Sequence, residues 1–169
     1  MAEEFEAYLR RHAVIAYHCT REPAPGYFQQ HGLRLLALEA HQEEFLARFG
    51  MNFSPAEVAE MREAWRTHFL VGRQVKHREG MLWFCLTKET AYSQGTDVFF
   101  KFCGGGAVFM PLKRHPTIAD KLGQLGAPVV VTVQLPPGAP SPHRSLALPL
   151  LSAYHRTRRP DASAWLAET

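Results

Sequence analysis

Three observations along the 169 residues predict an α+β domain. Segments with apolar residues at helical spacing come early, between Glu3 and Leu70, and segments rich in β-branched and aromatic residues dominate from Met81 to Leu135. Glycine or proline marks each change of texture, at Gly26, Gly50, Gly80, Gly126 and Pro136. Helices early and strands late favour segregated elements over the strict alternation of a doubly wound sheet.

The elements follow in order. Phe5, Tyr8 and Leu9 stand at helical spacing among charges, which predicts a short amphipathic helix over Glu3 to Arg11. Ala13 to Cys19 has strand composition, and Pro23, Pro25 and Gly26 stop it. Tyr27 to His31 reads as one helical turn closed by Gly32. Leu38 to Phe49 carries Leu38, Phe45, Leu46 and Phe49 on one helical face and ends at Gly50. Ser54-Pro55-Ala56-Glu57 supplies a capping box with proline at the first helical position, so a helix runs from Pro55 to about Leu70. Met61, Ala64, Trp65, His68 and Phe69 form its packing stripe.

After Gly80, strands are predicted over Met81 to Leu86, Val98 to Cys103, Ala107 to Met110 and Val129 to Leu135. Pro116 to Leu125, followed by Gly126, forms a capped helix between the last two. The prolines from Pro136 onward break regular structure, after which Ser145 to Tyr154 docks as an apolar strand or helix. His155-Arg156-Thr157-Arg158-Arg159 opens a basic tail, giving a domain over residues 1–154 and a solvated tail over 155–169.

A composition of 46% hydrophobic and 21% charged residues argues for an ordered globular chain. A net charge of +3 does not by itself demand nucleic acid, which is a possible partner but not the favoured one. Cys19, Cys85 and Cys103 are odd in number and sit in apolar segments, so buried free thiols in a reducing compartment are expected. The N-terminus is acidic where a secretory signal is basic, and no apolar run nears the roughly 20 residues that span a bilayer. The expectation is a cytoplasmic protein that does not enter the membrane, with export by a route that reads no cleavable signal left open.

The chain holds no Walker-type loop, no G-x-S-x-G elbow, no C-x-x-C pair and no H-E-x-x-H. Gly104-Gly105-Gly106 lies between two predicted strands, with no helix expected after it, so it reads as a turn or bulge. His12, His18 and His31 lack the spacing of ligand pairs, and no metal site is expected. Cys19 is adjacent to His18, and neighbours on a strand point to opposite faces, so that pair does not form a nucleophile and its base.

The positive signal is a strand ending in His18-Cys19-Thr20-Arg21 with Gly32-Leu33 after a helical turn, paired with a second segment carrying Gly80, Trp83, Phe84, Ala91 and Tyr92 in that order. Together these resemble the histidine- and tyrosine-containing ADP-ribosyltransferases, over about half the chain by order. The resemblance implies a single α+β domain with a split antiparallel or mixed sheet and helices packed on it. It also implies NAD as cofactor, with transfer of ADP-ribose to a macromolecular target, a glycosyl transfer, or hydrolysis of NAD.

Departure of nicotinamide leaves an oxocarbenium-like ribose, so such a site must hold the dinucleotide bent and stabilise developing positive charge. The resemblance gives His18 a hydrogen bond to a ribose hydroxyl of the adenosine half and Tyr92 a stack on nicotinamide. Thr20, Trp83 and Phe84 complete the cofactor-binding set, and Arg21 meets the pyrophosphate through its guanidinium fork. Core packing competes for Trp83 and Phe84, and a surface ion pair for Arg21.

Gln134 departs from the pattern, because the family's third element bears a glutamate on a strand where Val129 to Leu135 offers only this glutamine. Glutamine hydrogen-bonds but carries no charge and cannot act as a base. Asp97, Glu89 and Glu168 are the alternative carboxylates, and Arg73, Lys76, His77 and Arg78 an alternative phosphate or target patch. The competing function is a catalytically inactive module of the same fold that binds protein or nucleic acid, favoured by Gln134 and by the run Arg156 to Arg159. A hydrolase using Cys19 or Cys85 is the third reading.

Overall fold

A computed structural model describes residues 2–139 and 145–158. In chain order they form α1 (Ala2–Arg11), β1 (Val14–Glu22), α2 (Tyr27–His31), α3 (Leu38–Phe49), α4 (Pro55–Arg66), α5 (Lys88–Ala91), α6 (Asp97–Lys101), α7 (Gly105–Leu112), α8 (Pro116–Gln124), β2 (Ala127–Leu135) and α9 (Ala147–Arg158). A π turn over Thr67–Val71 continues α4. The fold is mixed helix and strand, with β1 and β2 paired antiparallel. Two compact units emerge. One comprises Met1–His18, Phe84–Tyr92 and Thr132–Thr169, the other Cys19–Trp83 and Ser93–Val131.

The larger unit is built on α3, α4, α7 and α8. Met61, Phe69, Val108, Leu112, Ile118 and Leu122 are its most buried large side chains. Helix α4 starts as the sequence requires. The Ser54 N–H donates to Glu57 Oε2 at 2.7 Å and the Glu57 N–H donates to Ser54 Oγ at 3.2 Å, so two orphan donors of the first turn are satisfied reciprocally. Met61, Trp65 and Phe69 then fall on the buried side.

Helix α7 carries Pro111 inside it. A proline has no N–H, so the carbonyl four residues earlier, that of Ala107, loses its helical donor. Gln42 Nε2 donates to that carbonyl at 3.1 Å, which explains a buried glutamine in an apolar core. Trp65 Nε1 donates to the next carbonyl, Val108 O, at 3.0 Å. Two side chains from α3 and α4 thus hold α7 by its backbone.

The smaller unit packs Leu9 and Val14 against Leu146 and Ala147, with Phe5, Leu86, Leu150 and Leu151 around them. Glu6 on α1 fixes the start of α9. Its Oε2 accepts from the Leu146 and Ala147 N–H groups, both at 2.8 Å, and from Ser145 Oγ at 2.9 Å. Ser145 Oγ in turn accepts from the Leu148 N–H at 3.1 Å. A carboxylate at a helix N-terminus meets both unsatisfied donors and the positive end of the dipole. These bonds, the Ala147 N–H first, hold the Glu6 carboxyl below the ordinary carboxylate range against the opposing effect of burial.

Several expectations are corrected. Val98 to Cys103 is not a strand, because residues 97–101 form α6 and Phe102 stacks on Phe109 of α7 at 3.7 Å between ring centroids. Ala107 to Met110 lies within α7, where Ala107, Val108 and Phe109 are buried in helical register. Strand propensity expresses packing context, and here the context is a helical core. Met81 to Leu86 is irregular, with one antiparallel bridge between Cys85 and Tyr17. Among the described residues the sheet therefore has two strands and that bridge, where a larger split sheet is expected.

Helix also begins within the triple glycine, contrary to expectation, with Gly105 and Gly106 as its first residues. Gly104 caps α7 at φ 84°, in the left-handed region, and a Cβ there would lie 2.4 Å from Val108 Cβ. Of the basic tail, α9 reaches Arg158, whereas residues 159–169 lie outside the described residues, as does Glu168.

Candidate functional site around the first strand

The first strand brings the two sequence segments together. The Tyr17 N–H donates to the Cys85 carbonyl and the Cys85 N–H to the Tyr17 carbonyl, both at 2.8 Å. Since both main-chain groups of Tyr17 face Cys85, β2 occupies the opposite edge of β1. In the smaller unit, residues 14–18 are thus flanked by Cys85 on one side and by residues 132–135 on the other.

His18 is half-buried, and its ring meets Phe84 edge-on with centroids 5.8 Å apart. Tyr92 follows α5, whose start is capped by Thr87 Oγ1 accepting from the Thr90 N–H at 3.2 Å. Ala91 is fully buried beside it, while Tyr92 is 62% exposed. Gln134 is exposed on β2. His18, Phe84, Tyr92 and Gln134 all belong to the smaller unit. Glu89 does too, exposed on α5.

Thr20, Arg21 and Trp83 belong to the larger unit. Thr20 is half-buried on β1, and Trp83 is 49% exposed. Arg21 has a structural task. Its Nε donates to Leu125 O at 2.7 Å, its Nη1 to Phe100 O at 2.6 Å and its Nη2 to Gly126 O at 2.8 Å. Phe100 and Leu125 lie at the ends of α6 and α8, where helix carbonyls lack internal partners. Of the five guanidinium N–H groups, three are committed, which leaves two. Nothing in the sequence near Arg21 signals these partners, which are about 80 to 105 residues away.

Cys19 and Cys103 are buried and Cys85 half-buried, all as free thiols. Burial pushes the Cys103 thiol up, which disfavours the thiolate that nucleophilic chemistry needs. Asp97 is exposed at the start of α6. Among the described residues no group of three or more His, Cys, Asp or Glu side chains is placed to hold a metal ion. No helix among them is long and apolar enough to cross a membrane.

A depression of ≈ 270 Å³ opens at the start of α8, lined by Glu57, Glu60, Arg114, His115, Pro116, Thr117 and Ile118. Its carboxylates are already engaged, Glu57 with Lys121 Nζ at 2.7 Å and Glu60 with His115 Nδ1 at 2.5 Å. None of the residues put forward from the sequence lines it. Comparison with protein-family models, with curated proteins and with solved structures returns no match for the chain.

Proposed function

We propose that the protein binds NAD in an ADP-ribosyltransferase-like fold, and either transfers ADP-ribose to a macromolecule or hydrolyses the dinucleotide in the cytoplasm. The observation that carries this reading is the pairing of Tyr17 with Cys85, which sets the strand ending in His18 beside the segment running to Tyr92. In this reading His18 holds a ribose hydroxyl, its ring steadied against Phe84, and the exposed Tyr92 stacks on nicotinamide. Gln134 hydrogen-bonds the second ribose. Thr20 and Trp83 remain cofactor-binding candidates, and Arg21 contributes to pyrophosphate binding only through the N–H groups its carbonyl bonds leave over.

Gln134 supplies no charge to an oxocarbenium-like ribose, so binding is expected to outrun turnover. That same residue favours the competing reading, a silent module of this fold that binds protein or nucleic acid. NAD at about 100 times its dissociation constant stabilises a binding protein by about 2.7 kcal/mol. A thermal-shift titration should therefore show a rise in melting temperature with NAD that His18→Ala removes. Absence of any shift at millimolar NAD refutes NAD binding. A shift without product favours the silent module.

A further inference from the structure

Charge in the larger unit is sorted into paired and unpaired regions. Arg62 pairs with Glu43, Arg34 and Arg48 with Glu44, Arg66 with Glu63, and Lys121 with Glu57. Beyond Glu63 the sequence holds no acidic residue until Glu79. Glu79 Oε2 is turned away to accept the Leu38 N–H at 2.9 Å, where it caps α3. Arg73, Lys76, Arg78 and Lys113 consequently have no carboxylate partner among the described residues.

The backbone presents these cations deliberately. After the π turn, the Gly72 N–H closes onto Thr67 O at 2.8 Å, and a Cβ at Gly72 would lie 2.4 Å from His68 O, so only glycine fits. Arg73 then takes φ 54°, an uncommon conformation for a residue with a side chain. This turn leaves Arg73, Lys76 and His77 exposed, and Leu70 and Val71 exposed beside them. The Arg78 guanidinium rests on Gly106, where a Cβ would come within 2.7 Å of Nη1. Like charges are crowded enough that, after burial, Arg78 and Lys113 both push His68 below its usual range.

We propose that the face formed by residues 67–78 and Lys113 binds the phosphodiester backbone of a nucleic acid. Unpaired cations spread over a turn of this length exceed what one small anion neutralises, and a phosphate every few ångströms answers them. Arginine matches phosphate bidentately, and the exposed Leu70 and Val71 offer apolar contact to sugar or base edges.

The test is fluorescence anisotropy with a labelled single-stranded oligonucleotide and its duplex, titrated over about 50 to 200 mM salt. Binding by either form, with log K falling linearly in log salt, is the expected result. The Lys76→Gln/Arg78→Gln/Lys113→Gln variant should lower a single-strand slope by about 2, since each phosphate contact contributes about 0.7. Arg62→Gln/Arg66→Gln, which removes paired cations of the same unit, should leave the slope unchanged. Where loss of Arg78 disturbs folding, the exposed pair Lys76→Gln/Lys113→Gln should still lower the slope by about 1.4. An unchanged slope in both charge variants, no salt-dependent binding, or equal binding to poly-glutamate overturns the proposal. The NAD-dependent thermal shift, read on the same variants, should not move, so this inference and NAD binding fail separately.

Discussion

Gln42 is the residue whose replacement tests the helical core most directly. Its amide substitutes for the N–H that Pro111 cannot give to Ala107 O. Gln42→Leu keeps the side-chain volume close to native and orphans that carbonyl, which costs about 1–3 kcal/mol. Some of this is offset by burying an apolar chain, so a net loss of about 1–2 kcal/mol is expected. Adding Pro111→Ala returns a backbone donor to the carbonyl, so the double variant should recover at least about 1 kcal/mol through coupling rather than simple addition. Urea unfolding of the four proteins, followed by helical circular dichroism, measures this as a shift in midpoint at constant slope. A coupling energy below about 0.5 kcal/mol would show that the glutamine does not stand in for the missing N–H.

Other perturbations give independent checks. Arg21→Met should remove three donors from main-chain carbonyls and lower stability by about 3 kcal/mol, at about 1 kcal/mol for each bond, with or without NAD. On a chain of this size that is a fall of roughly 6–12 °C in melting temperature. An unchanged melting temperature would return Arg21 to the surface. Glu6→Gln should cost about 1–2 kcal/mol at neutral pH by replacing charge-assisted bonds to α9 with neutral ones. Because the folded carboxyl titrates below 4.5, its contribution is fully present above that pH and is lost as pH falls through the folded value. Stability curves of the parent and Glu6→Gln should converge in acid, and a constant gap down to that range would refute the charge argument.

What could be read from the sequence was local. The capping box at Ser54 and Glu57, the glycine end of α2 at Gly32 and the stripe Met61, Trp65 and Phe69 each depend on residues a few positions apart, and the structure has them. Val98 to Cys103 and Ala107 to Met110 misled because their branched and aromatic residues suit any buried surface, and a helical neighbour decided which. Pro111 sits inside α7, and the donor that compensates for it, Gln42, comes from 65 residues away from the carbonyl it serves. The same distance effect hid the partners of Arg21. At the candidate site, Tyr17 of the first strand pairs with Cys85 of the segment from Gly80 to Tyr92, but no spacing rule gives the positions of Tyr92 and Gln134 in space.

The cap that Glu6 places on α9 spans 141 positions of chain, and this sets an order of assembly. During synthesis the Glu6 carboxylate has no helix to hold until Ala147 has emerged, after every residue of the larger unit through Val131. Closing so long a loop from an unfolded chain costs about 4 kcal/mol in the length-dependent part of its entropy alone. Prior folding of the intervening unit removes much of that cost by shortening the free chain. Helix α1 thus locks late, and through that interval Phe5 and Leu9 lack the cover that Leu146, Ala147, Leu150 and Leu151 give them.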